Sequence, residues 1–221
     1  MATDSIFGVK NIDCSWDQLH VIRNISITLS EGEKVAIYGL NGAGKTTLMR
    51  GIVNDPSLER TVDSITISGS ECKNLRTEQF VKEGVTIVPQ HGGLFRGMTV
   101  YENLELSFDN IAGGKSGKLR NSLVDIQEVF PRISNILDRK VESCSGGEQK
   151  MAMIAKGLVT EPDVLLLDEP TASLSPDLRK MVLESLATLD MTILITLPLT
   201  VENDEILNVD RKFTMQNGQL Q

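Results

Sequence analysis

Gly39-Leu40-Asn41-Gly42-Ala43-Gly44-Lys45-Thr46-Thr47 holds the residue types that grip a triphosphate. The stretch spells G-x-x-x-x-G-K-[ST]. It follows the apolar run Val35-Ala36-Ile37-Tyr38 and precedes Leu48-Met49-Arg50-Gly51-Ile52-Val53, which can continue as a helix. Glycines let the main chain wrap phosphate oxygens, and amide N–H groups at a helix start point at an anion. Lys45 adds a point charge for the β- and γ-phosphates, and the Thr46 hydroxyl is placed to ligate Mg²⁺. The plain alternative is a glycine-rich turn that binds nothing. Lysine, hydroxyl and strand-to-helix setting together argue for a nucleoside triphosphate.

A phosphate loop serves kinases, GTPases and ATPases alike, so further groups must decide. Asp168-Glu169 ends the apolar run Val164-Leu165-Leu166-Leu167, read as a buried parallel strand. Transfer of a phosphoryl group to water needs one carboxylate for Mg²⁺ and one acceptor to orient the nucleophile. Successive side chains at a strand end point different ways, so Asp168 can face the metal while Glu169 faces the water. For this pair alone, a strand leaving into solvent through two acids stays open. Ser145-Gly146-Gly147-Glu148-Gln149 is a polar turn opening a helix through Met151, Ile154, Ala155 and Leu158. Taken singly it is a loop or a helix N-cap.

The elements that must hold these groups can be read along the chain. Residues 6–12 and 24–29 alternate apolar with polar, as half-buried antiparallel strands do. Residues 64–67 and 85–88 read as strands, with a short helix over 77–83 between them. From Thr99 to about Leu158 the chain turns mostly helical. Thr99 and Glu102 have capping-box spacing, and residues 113–117 are expected as a flexible connector. Leu119, Leu123, Ile126 and Phe130 then share one helix face. Ser175-Pro176-Asp177 opens a helix, residues 192–196 form a strand, and Asn217-Gly218 turns a terminal hairpin. The expectation is a single α/β domain over 1–221 with a helical subdomain at about 92–160 inserted in the core.

The 221 residues, 40% of them apolar, suffice for a full core. A net charge of −8 argues against nucleic acid, and against an anionic membrane surface, as non-specific partners. Cys14, Cys72 and Cys144 are widely spaced, which suits free thiols in a reducing compartment. No secretory signal is visible, and no apolar run approaches the ~20 residues that span a bilayer. A soluble cytoplasmic protein is expected.

Taken together, the phosphate loop, the Ser145-Gly146-Gly147 turn shortly before Asp168-Glu169, and the helical stretch between them resemble the ATP-binding-cassette (ABC) ATPases. The likeness runs over nearly the whole chain, from Trp16 to the final hairpin. It implies a P-loop NTPase (RecA-like) core with an N-terminal antiparallel β-subdomain and an inserted α-helical subdomain. It implies ATP and Mg²⁺ as ligands, with Glu169, Lys45 and Gln90 in catalysis and Thr46, Gln90 and Asp168 toward the metal. It implies two cassettes closing head-to-tail, so that Ser145, Gly146 and Gly147 meet the nucleotide held by the other. Gln90 matches the glutamine that reports nucleotide state to a membrane partner; its plain alternative is an exposed polar residue. Trp16 falls where an aromatic stacks on adenine; its plain alternative is a half-buried edge aromatic. Ala172-Ser173-Leu174-Ser175 resembles the loop that crosses the dimer interface.

Leu197 departs from the family, which usually has a histidine there, contacting the γ-phosphate. Leucine can neither donate nor accept. His91, beside Gln90, is either a solvated loop residue or a substitute. The departure predicts a slow site in this chain paired with a competent site on a different cassette, a slow homodimer being the alternative. Glu128-Val129-Phe130-Pro131-Arg132-Ile133 looks like the ATP-binding subunits of branched-chain amino-acid and urea importers. The implied function is the ATPase of a membrane importer, peripheral on the inner face of the cell membrane and joined to transmembrane permease subunits. The alternatives are a soluble cassette ATPase of the iron–sulfur assembly type and an ATP-dependent clamp without rapid turnover.

Overall fold

A computed structural model describes residues 5–112, 116–199 and 204–221. Alternating apolar residues fold Ser5–Trp16 (β1) and Leu19–Ser30 (β2) into an antiparallel pair, with Phe7, Val9, Ile22 and Leu29 buried. Lys34–Gly39 (β3) is buried along nearly its whole length and runs into the phosphate loop and the helix Lys45–Ile52 (α1). The short strands Glu59–Thr61 (β4), Ser64–Ile67 (β5) and Ser70–Glu71 (β6) extend the antiparallel sheet in the order β2-β1-β5-β6, with β4 also on β1.

Thr77–Lys82 (α2) leads to Val85–Val88 (β7), after which the chain is helical: Val100–Ala112 (α3), Ser116–Val129 (α4) and Gly146–Leu158 (α5). Thr99 and Glu102 close the expected capping box at α3, each side chain accepting from the other's amide. The expected connector is corrected in part: Ser116 and Gly117 already belong to α4, while residues 113–115 lie outside the described residues. Val164–Asp168 (β8), Pro176–Ala187 (α6), Thr192–Pro198 (β9), Asp204–Leu207 (α7) and the hairpin Arg211–Gln216 (β10) with Gln219–Leu220 (β11) complete the chain.

The second sheet has the order β11-β10-β3-β9-β8-β7, parallel from β10 to β7. Successive residues of its central strands face opposite layers. Tyr38, Leu167, Ile195 and Leu197 join the apolar cluster shared with α3, α5 and α6. Ile37, Leu166 and Leu194 join the cluster shared with α1 and the antiparallel sheet. The sheet is therefore sandwiched, and the carboxyl ends of β3, β9 and β8 open side by side.

Candidate active site

At those carboxyl ends, the phosphate loop turns through Gly42 and Gly44, which take φ of +81° and +110°. A side chain at Gly44 would be strained by that φ, and its Cβ would stand 2.9 Å from Ile22. Gly44 is the N-cap of α1 and supplies no side-chain cap, so the first amides of the helix are left for an anion. Lys45 is 3% exposed, and its Nζ donates to the carbonyls of Gly39 at 2.7 Å and Leu40 at 3.0 Å.

The same Nζ lies 2.9 Å from Glu169 Oε1. Gln90 Nε2 donates to the other carboxylate oxygen, Oε2, also at 2.9 Å. Glu169 takes φ +42°, a sparsely populated conformation for a residue with a side chain. Its amide donates to Thr196 Oγ1 at 3.0 Å, and that hydroxyl in turn donates to Asp168 Oδ1 at 2.9 Å. Strand register explains the arrangement, because Thr196 on β9 stands directly beside Asp168 on β8. Thr196 was not singled out from the sequence. A polar residue inside the aliphatic run Ile193-Leu194-Ile195, one step before Leu197, was the available signal.

Asp168 is 2% exposed. Burial holds its carboxyl above the ordinary aspartate value, against hydrogen bonds from Thr46 and Thr196 that act the other way. The set of Thr46 hydroxyl, Asp168 carboxylate and Gln90 amide offers hard oxygen donors. Among the described residues no cluster of three or more His, Cys, Asp or Glu could cage a metal. A partial shell of this kind fits Mg²⁺, which keeps waters and takes its other ligands from phosphate.

Trp16 is half-buried, and its indole N–H donates to Thr47 Oγ1 at 3.0 Å. The Arg50 guanidinium stands 5.8 Å from its ring centroid. The ring is thus tied to α1, the helix that the phosphate loop opens.

Ser145, Gly146 and Gly147 are not among these contacts. The Ser145 side chain accepts from Glu148 N at 3.3 Å, and Glu148 accepts from Ser145 N at 2.7 Å, a capping box at the start of α5. Ser145 and Gly146 are exposed. Gly147 is buried, and a Cβ there would stand 2.6 Å from the tip of the Leu178 side chain on α6, which would have to shift to admit it. Gln90, Gly146, Gln149, Lys150 and Leu174 line one cleft of about 350 Å³, with the exposed His91 at its edge.

Leu197 lies inside β9, which runs two residues beyond the expected 192–196 and pairs Leu197 with Tyr38. Its side chain is fully buried in the apolar cluster. His20 pairs with Asp13 at 2.9 Å, on the antiparallel sheet.

Comparison with known proteins places this geometry. The ABC transporter family matches residues 22–172. The sulfate/thiosulfate import ATP-binding protein CysA of Acinetobacter baylyi is 34% identical over 224 residues, covering 96% of this chain and 60% of its own length. This chain therefore spans less than two thirds of that relative's length. The high-affinity branched-chain amino acid transport ATP-binding protein BraG of Pseudomonas aeruginosa is 27% identical, covering 97% of this chain and 91% of its own. Among solved structures, a dimeric ATP-binding cassette in a post-hydrolysis state with ADP and Pi superposes with a TM-score of 0.83. It is 21% identical and covers 97% of this chain and 96% of that one.

Proposed function

The chain belongs to the ABC transporter family of ATP-binding cassette ATPases, and from that premise we propose that it binds and hydrolyses ATP to drive a membrane importer. The observation behind this reading is the convergence of Lys45, Thr46, Asp168, Glu169 and Gln90 on one uncapped helix start at the carboxyl ends of parallel strands. Residues 39–47 cradle the phosphates, and Lys45 exchanges Glu169 for the β- and γ-phosphate oxygens. Glu169, released from Lys45 and steadied by Gln90, orients the attacking water and accepts its proton at a carboxylate oxygen. Thr46, Asp168 and Gln90 would hold Mg²⁺, which when bound would supply charge neutralisation for the phosphates. Trp16 offers its ring to the base.

In the same proposal, residues 92–160 form a helical subdomain, and Ser145, Gly146 and Gly147 complete the site of a second cassette. The exposure of Ser145 supports that reading. Leu197, sealed in the apolar cluster, supports an asymmetric pair in which this chain's own site turns over slowly. Loss of a positioned acid–base group slows a reaction roughly 10²–10⁴-fold. Transmembrane permease subunits follow from the importer reading. The name of CysA supports import, and the likeness to BraG joins the 128–133 stretch in favouring a branched-chain amino-acid type.

The test uses Trp16, the one tryptophan in the chain, as a fluorescent reporter of ATP binding, together with phosphate release. Lys45→Ala is expected to weaken ATP binding about 10–100-fold, the worth of hydrogen bonds to charged groups. Unchanged affinity would overturn the reading. Turnover is expected to be slow alone and faster with a second, histidine-bearing cassette. Rapid turnover by the isolated chain would remove the asymmetry.

A further inference from the structure

Lys150 takes no part in the chemistry above, yet it is a cation packed into the interior. It is 6% exposed, on α5, between the intermediate Gln149 and the buried, apolar Met151. A buried ammonium is costly unless it is paired and hydrogen-bonded. Its Nζ donates to the main-chain oxygen of Gln90 at 2.5 Å. Burial pulls this ammonium below the ordinary lysine value, while the carboxylates of Asp168 and Glu169 act the other way. A methionine-like side chain would fill the same volume without that cost, so the charge and the donor call for a use.

The bond joins segments that are far apart in sequence. Ser145 caps α5 five residues before Lys150, and Gln90 follows β7. The Gln90 amide holds Glu169 Oε2, and Glu169 Oε1 holds Lys45. A continuous run of polar contacts therefore leads from the helix that displays Ser145-Gly146-Gly147, through Lys150, Gln90 and Glu169, to the phosphate lysine. Gln90, Gly146, Lys150 and Leu174 also share the walls of the 350 Å³ cleft, so their segments meet in space.

We propose that Lys150 is a positioning residue that holds Gln90 against Glu169 and makes the placement of that carboxylate depend on the seat of α5. The proposal rests on the ATPase reading. A lysine suits the task because its long stem reaches across the cleft and its ammonium offers three rotatable donors. A second cassette settling on the Ser145-Gly146-Gly147 turn would press on α5, and Lys150 would pass the displacement to Gln90.

The test is a double-mutant cycle on the full chain, with the second cassette present where turnover needs it. ATP affinity is read by Trp16 fluorescence and turnover by phosphate release. Lys150→Met is expected to lower kcat about tenfold while ATP affinity stays within about threefold, the pattern of a group acting on the chemical step. Lys150→Arg, which keeps charge and donor, should retain more than about half of kcat. In a Gln90→Ala background, Lys150→Met should cost less than about twofold further, because its route to Glu169 is gone. Three results would overturn the proposal: full activity of Lys150→Met, an equal loss in both backgrounds, or Lys150→Arg as impaired as Lys150→Met. Should Lys150→Met fail to fold, Lys150→Gln takes its place with the same expectations. ATP binding without turnover by the wild type in every setting would overturn the ATPase reading and this proposal with it.

Discussion

Lys45 and Glu169 hold each other at 2.9 Å where both side chains are largely sealed from solvent, so each sets the other's availability. On the proposed reading, a triphosphate entering the loop would compete with Glu169 for the same ammonium. Removing one partner of a buried pair leaves an uncompensated charge, an effect of about 3–5 kcal/mol in folded proteins. In Glu169→Gln that charge is Lys45, and an incoming phosphate relieves it. ATP affinity should therefore rise about tenfold, the equivalent of ~1.4 kcal/mol of that penalty. Turnover should fall about 10²–10⁴-fold, because the amide cannot take a proton from water. Trp16 fluorescence and phosphate release separate the two effects. Unchanged affinity with lost turnover would show that Lys45 is not held back by Glu169. The Gln90 bond to Oε2 can survive in the variant, since its Nε2 can still donate to an amide oxygen at that position.

At the scale of elements, the phosphate loop is placed by how α1 sits on the antiparallel sheet. Gly51, near the end of α1, lies so close to β1 that an added Cβ would stand 2.3 Å from Cys14 Sγ. Arg60 on β4 fastens the same end, donating to the carbonyls of Gly51 at 2.9 Å and Ile52 at 3.2 Å. Burial pushes the Cys14 thiol up to about 11, so it stays a neutral packing group near neutral pH. Gly51→Ala should overpack this contact at about 2 kcal/mol, lowering the melting temperature by roughly 4–8 °C in a chain of this size. ATP binding should weaken as α1 tilts. Adding Cys14→Ala should recover most of the loss, and thermal unfolding of the single and double variants checks it. Much of this layer was legible in the sequence, because period-two alternation in β1 and β2 and the β3-loop-α1 signature are local patterns. Lys150 was not, because a lysine on a polar-fronted helix reads as solvated until α5 is seated over Gln90. Nor was the reach of β9 through Pro198, which comes from pairing with Tyr38 and Gly39. Residues 113–117 read as a connector from their glycines, yet α4 takes in Ser116 and Gly117.

For the whole molecule, charge bears on what this chain can pair with. Each copy has a net charge of −8, so two copies closing on nucleotide bring like charges together and add the phosphates of their ligands. The screening length is about 30 Å at 0.01 M salt and ~10 Å at 0.1 M, so the repulsion spans the molecule in the first case and is confined to near contacts in the second. Self-association of Glu169→Gln in ATP should therefore strengthen between low and moderate salt. Sedimentation velocity at two salt concentrations reads this directly. Pairing with a cassette of smaller or opposite net charge should lose that dependence or reverse it, which makes the salt response a way to tell a like pair from an unlike one. A homodimer equally strong at both concentrations would mean that local complementarity around Ser145 and Ala172 outweighs net charge. The like-charge argument for an unlike partner would then fall, leaving Leu197 as the remaining support for asymmetry.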